Sequence, residues 1–110
     1  MGAYTNIEQS KKLAEILPLE SADMYYSPLG DDTHPWVLES NLIEKDAVLC
    51  WSLAALLDIL PYPTLAQHAN GLWSLTSWVG TVEPYSVGGY DNKIDSCVEM
   101  ITKLHELKLL

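Results

Sequence analysis

The chain contains no arginine and no phenylalanine, and its only basic side chains besides histidine are six lysines set against fifteen acidic residues. The formal net charge is -9. Nucleic-acid binding rests on neutralising phosphates with Lys and Arg and on Arg forks that read guanine, so direct contact with DNA, RNA or an anionic membrane surface is not expected. Cysteine is scarce: Cys50 and Cys97 stand alone, too few and too far apart for a disulfide framework or a zinc motif. No apolar run approaches the roughly 20 residues of a membrane span, and Glu8 and Glu15 interrupt the only stretch where a secretory signal would lie. Gly88-Gly89 lacks the spacing of a phosphate loop. These absences point to a reducing, cytoplasmic setting and imply neither a cofactor nor a metal.

Hydrophobic residues make up 48% of the chain and charged residues 19%, a globular rather than disordered balance. Four Trp and six Tyr supply the aromatic surface. Without arginine, the usual polar anchor of protein interfaces, any partner must be held mainly by aromatic and apolar groups.

The most informative segment runs from Cys50 to Pro61. Ser52 can cap the first free amides of a helix and Pro61 cannot continue it, so a short apolar core helix is expected between them. An earlier helix starts at Thr5-Asn6-Ile7-Glu8, read as a capping box of Thr5 with Glu8, and runs to about Leu17 before Pro18. Its stripe of Ile7, Ser10, Leu13, Ala14 and Leu17 faces inward. Glu20 to Met24 reads as a single turn and Met24-Tyr25-Tyr26 as a short strand. Ser27 to Pro35 reads as loop, and Trp36 to Ala47 has no clean period.

After the Pro61-Tyr62-Pro63 break, Thr64 to Asn70 reads as a loop or turn. Leu72 to Val79 alternates like a strand, with Trp73, Leu75 and Val79 on one face and Ser74, Thr76 and Trp78 on the other. A second strand follows over Val82 to Val87, placed at a sheet edge by Pro84. Gly88-Gly89 reads as the turn into the last helix. Asn92 caps that helix, and Ile94, Cys97, Val98, Ile101 and Leu104 form its buried stripe. The sum is a single α+β domain over residues 1–110, with about three helices packed on a small antiparallel sheet containing a β-hairpin.

Three sets of residues invite chemistry. Cys50 stands at a predicted helix start, where a thiol can be activated, and papain-like cysteine peptidases use a Cys-Trp pair in that place. The likeness ends at the dipeptide: no Gly-Ser-Cys-Gly run precedes it, and only His68 and His105 remain downstream as bases. Packing is therefore the reading for Cys50, as for Cys97 on its apolar stripe. Asp31-Asp32-Thr33-His34 groups ligand types without an EF-hand or zinc spacing and reads as a solvated turn. His105 suits the last carbonyls of its helix, and His68 has no assigned partner. Tyr25, Tyr26, Trp36 and Trp78 are the aromatics least explained by periodicity, and they form the candidate interaction surface.

Several stretches carry a family likeness. They are Ile7-Glu8-Gln9-Ser10-Lys11-Lys12-Leu13, Ser21-Ala22-Asp23-Met24, Cys50-Trp51-Ser52-Leu53-Ala54-Ala55-Leu56-Leu57 with Pro61, Leu72-Trp73, and Asp95-Ser96-Cys97-Val98-Glu99-Met100. In that order they resemble a family of small uncharacterised proteins encoded by gut Bacteroidetes and their phages and integrated elements. The resemblance implies a setting and carries over no activity, catalytic residue or cofactor; the segment Ser27 to Ala47 lies outside it. The expected function is that of a small acidic, non-enzymatic interaction or accessory module with an unknown protein partner, homo-oligomerisation staying open. The alternatives are an acidic nucleic-acid mimic that inhibits a DNA-binding protein, and a cysteine-dependent hydrolase or transferase using Cys50.

Overall fold

Asn6, one residue later than expected, caps the first helix. Its side chain accepts from the Gln9 N–H at 2.7 Å, and the Gln9 side chain returns to the Asn6 N–H at 3.0 Å. Thr5 is withdrawn from capping because its hydroxyl is buried and spent elsewhere: it accepts from the Trp51 N–H at 3.1 Å and bonds the Ser10 hydroxyl at 2.8 Å. Both residue pairs satisfy a capping pattern, and the need to pair a buried Trp51 amide decides between them.

The computed structural model describes residues 4–27, 37–39, 48–79 and 84–110. Helix α1 spans Ile7–Ala14, shorter than the expected run to Leu17, whose N–H nevertheless still reaches the Leu13 carbonyl at 2.8 Å. A 3-10 turn follows at Leu19–Ser21, then strand β1 at Met24–Ser27, as the sequence suggested. Strands β2 (Val37–Glu39) and β3 (Val48–Cys50) flank β1 on either side, antiparallel to it. Part of the segment read as irregular is therefore strand, and Cys50 ends a strand rather than starting a helix. Helix α2 is Leu53–Ile59, capped by Ser52, whose Oγ accepts from the Ala55 N–H.

The second sheet is an antiparallel meander of β4 (Pro63–Gln67), β5 (Trp73–Trp78) and β6 (Pro84–Tyr90), with β5 central. The expected single sheet is thus two sheets of three strands, and β4 replaces the first part, Thr64 to Gln67, of the loop or turn expected over Thr64 to Asn70, while the rest remains a turn. Pro84 does lie on an edge strand, where its missing donor costs no ladder bond. Gly88 and Gly89 belong to β6 instead of turning out of it: Trp73 pairs with Tyr90 and Ser74 with Gly88, which leaves Gly89 as the extra residue of a bulge. Gly89 takes φ 86°, a conformation in which a Cβ is strained.

Helix α3, Lys93–Glu106, forms as the sequence indicates. Asn92 Oδ1 accepts from the Asp95 N–H at 2.8 Å, and Ile94, Cys97, Val98, Ile101 and Leu104 are all buried. These residues meet Leu13, Trp51, Leu56, Leu60 and Leu75 in one core between the helices and the inner face of the meander, with Leu65, Tyr85 and Val87 at its margin. The fold is a single α+β unit with three α-helices among the described residues.

Candidate functional site

The two thiols belong to the interior. Cys50 and Cys97 are fully buried and free. Burial pushes the Cys50 thiol up to about 12 from an ordinary 9.0, and the carboxylate of Asp23 adds to the effect. Cys97 is likewise held at about 12 by burial, opposed by a hydrogen bond with Ser96. A thiolate nucleophile requires the reverse environment, exposed and electropositive. Of the two histidines named as bases, His105 is exposed at the end of α3, and His68 is exposed with its Nε2 2.9 Å from Ser74 Oγ.

Two shallow clefts flank the helices. One, of about 430 Å³, lies between α1 and the start of α3 and is lined by Glu8, Gln9, Lys12, Tyr90, Asp95 and Glu99. Its central carboxylate is already committed: Asp95 accepts from Gln9 Nε2 at 2.7 Å and from Asn92 Nδ2 at 3.0 Å. The Tyr90 phenol is held above its usual range by burial, then by Glu99 and Asp95. The second cleft, of about 480 Å³, lies between the 3-10 turn and α2 and is lined by Ser21, Asp23, Ala54, Ala55 and Asp58 among others. There Asp23 accepts from both the backbone N–H and the hydroxyl of Ser52, fastening the start of α2 to the end of the turn. In each cleft one carboxylate, Asp95 in the first and Asp23 in the second, serves as a helix fastener. Among the described residues, no group of three or more His, Cys, Asp or Glu could hold a metal ion, and no helix is long and apolar enough to cross a membrane.

The aromatic residues separate clearly by what they touch. Trp51 fills the core, and its indole N–H donates to Ser21 Oγ at 2.9 Å. Tyr26, half-buried, donates its hydroxyl to the Thr5 carbonyl at 2.8 Å, so this member of the expected surface is an internal tie. Tyr25 is also half-buried, within the sheet of β1 to β3. Trp36 lies outside the described residues, as do Asp31, Asp32 and His34. Lysines cover two more rings: Lys93 Nζ sits 4.8 Å from the Trp73 ring centre and Lys103 Nζ 5.9 Å from that of Tyr85.

That leaves Trp78, 42% exposed, and Tyr62, 80% exposed, as the large solvent-facing rings of the meander. They share one end of it, because the Trp78 N–H donates to the Pro61 carbonyl at 3.2 Å, and Trp78 pairs across β6 with the exposed Pro84. Tyr62 holds φ 43°, a left-handed conformation rare for an aromatic residue and further disfavoured before a proline. Strain of this kind costs on the order of 1–3 kcal/mol and persists only where neighbours hold it in place. Here the Pro61 carbonyl is gripped twice, by the Trp78 N–H and by the Ser77 hydroxyl, while proline rings fix both flanks.

Beside this aromatic end, the outer face of the meander is built from the small neutral residues Thr64, Ala66, Ser74, Thr76, Ser86 and Gly88, with the exposed His68 ring bonded to Ser74 at its far end. Thr76 Oγ1 and Ser86 Oγ lie 3.1 Å apart across the strands. No Asp, Glu, Lys or Arg occurs from Ile59 to Val82, although the chain as a whole carries a charge of -9. That uncharged run is the signal in the sequence that could have drawn attention to Tyr62, which reads locally only as part of a proline break.

Comparison with known protein families, with curated proteins and with solved structures finds no match for this chain.

Proposed function

We propose that the protein is a non-enzymatic interaction module that holds a protein partner at the aromatic end of the meander, through Tyr62 and Trp78 with Pro84 beside them. The observation that carries this reading is Tyr62: a ring 80% exposed on a backbone at φ 43°, kept there by bonds from Trp78 and Ser77 to its neighbour's carbonyl. Strain maintained at an exposed aromatic residue has no role in packing the core. Aromatic residues at the centre of a patch supply most of the binding energy in interfaces, and this chain has no arginine to share that role. The fastening roles of Asp95 and Asp23 in the two clefts and the buried thiols favour the same reading over a catalytic one.

The test is capture by the immobilised protein from a lysate of the organism that encodes it, run beside Tyr62→Ala and Trp78→Ser. Both substitutions are at exposed positions and should leave the circular dichroism spectrum and the unfolding midpoint close to those of the parent. A partner retained by the parent should weaken about tenfold or more with either variant, the loss typical of an interface anchor. Identical retention by the double variant would sink the proposal.

A further inference from the structure

The geometry points to a second contact, independent of the aromatic end: we propose that β4 pairs antiparallel with β4 of a second copy, in register about Leu65, joining two three-stranded sheets into one. The inference starts from the hairpin. The His68 N–H donates to the Leu72 carbonyl at 2.9 Å, and the alternation of an antiparallel ladder then turns the amides of Ala66 and Thr64 toward β5. The amides of Leu65 and Gln67 therefore point away from the sheet, along an edge that no described strand covers. Pro63 falls in the same outward set, so its missing N–H breaks nothing within the meander.

The other edge of this sheet is guarded, and β4 is not. On β6, Lys103 Nζ donates to the Ser86 carbonyl at 3.3 Å, and Asp91 and Lys93 follow the strand directly. Charged side chains of this kind are how natural edges resist adding a strand. Along β4 the residues are Pro, Thr, Leu, Ala and Gln, with no charge before it until Asp58 and none after it until Glu83.

Charge selects the place of contact. Two copies at -9 repel each other over most of their surfaces, and the neutral β4 edge with its neutral outer face is where they can approach without that cost. The edge is also complementary to itself. About a two-fold axis at Leu65, each Leu65 exchanges both backbone bonds with its mate, and each Gln67 N–H reaches the Pro63 carbonyl of the second copy. The prolines, having no donor to offer, close the pairing at both ends and set its register. Thr64 then lies opposite Ala66 of the second copy, both on the exposed face. The contact is short, so the dimer belongs with weak, reversible interfaces.

Sedimentation of the full chain from low micromolar to near-millimolar concentration should show a reversible monomer–dimer equilibrium. Because the copies repel, association should strengthen as salt is added, by screening. Gln67→Pro removes the outer bond from each copy without touching the β5 ladder and should weaken association about tenfold or more. Ala66→Asp, at an exposed site with no role in the core, places like charges close across the axis and should abolish the dimer at the same concentrations. Register is read by oxidation: Thr64→Cys mixed with Ala66→Cys should cross-link, while each variant alone should cross-link far more slowly. Tyr62→Ala and Trp78→Ser should leave the equilibrium unchanged, so failure of the aromatic proposal is separable from failure of this one. A protein monomeric at every concentration, a dimer indifferent to both β4 variants, or one dissolved by the aromatic variants would each overturn the proposal.

Discussion

Replacing Trp51 with alanine should remove a large share of the protein's stability and lower its urea midpoint sharply. Among the described residues Trp51 is the largest fully buried side chain, and it stands where β3, α1 and the 3-10 turn meet. Truncating a buried aromatic residue of this size costs about 3–5 kcal/mol, against a total of about 5–15 kcal/mol for an ordinary domain. The loss goes beyond volume. Trp51 receives the Thr5 N–H on its carbonyl at 2.9 Å, returns its own N–H to the Thr5 hydroxyl, and donates its indole N–H to Ser21. A collapsing cavity would disturb each of these links. Trp51→Phe separates the contributions: it keeps most of the apolar volume and loses the indole bond, so about 1–2 kcal/mol is expected from the orphaned Ser21 contact and imperfect filling. Urea unfolding followed by circular dichroism measures both. A midpoint for the alanine variant within experimental error of the parent would mean that the core is centred elsewhere.

The second large effect concerns the thiols. With Cys50 and Cys97 both held at about 12, each thiolate population near neutral pH is about a thousandfold below that of an ordinary cysteine, and burial blocks the reagent as well. Native protein should therefore resist iodoacetamide for hours, then react at both cysteines once urea opens the fold. Fast labelling of Cys50 in the native state would revive the nucleophile reading.

The same shifts set an alkaline limit. Unfolded thiols release their protons near 9, whereas the folded ones hold them until about 12. Stability from this source is thus complete below pH 9 and falls between 9 and 12, with a slope of about 1.4 kcal/mol per pH unit per thiol. Tyr26 and Tyr90, both raised mainly by burial, act in the same direction above 10. Urea midpoints should be flat with respect to thiol ionisation up to about pH 8.5 and decline beyond it.

What could be read in advance divides along a physical line. Helix α3 was legible because its cap at Asn92, its acids at the start and its stripe from Ile94 to Leu104 are local signals that agree with one another. Ser52 marked α2 in the same way, and the alternation of Trp73 to Trp78 marked β5. Strand β4 was not legible: of its residues only Leu65 reaches the core, its outer face is Thr and Ala, and prolines stand at and before its start. Its strand character comes from pairing with β5, which no local pattern encodes. Gly88-Gly89 misled for a related reason, since glycine that permits a turn equally permits a bulge. The shift of the α1 cap from Thr5 to Asn6 depends on Trp51, far away in the chain. For the candidate site, Trp78 and Tyr26 were both named as aromatics that periodicity left unexplained; Trp78 stands exposed, whereas Tyr26 is an internal tie. Tyr62 escaped notice because exposure is a property of the assembled surface.

The order of the meander has a kinetic consequence. β4, β5 and β6 pair each with its neighbour in the chain, and α3 follows at once to cover them, so this half closes through short loops. The sheet of β1 to β3 instead brings together strands separated by long intervening segments, and it needs Thr5 at the start of the chain to meet Trp51. Loop closure is cheaper for the first arrangement, which favours the C-terminal half as the earlier and more persistent folding unit. Native-state hydrogen exchange should find its slowest amides in β5 and α3, with β1 and β3 released at lower denaturant.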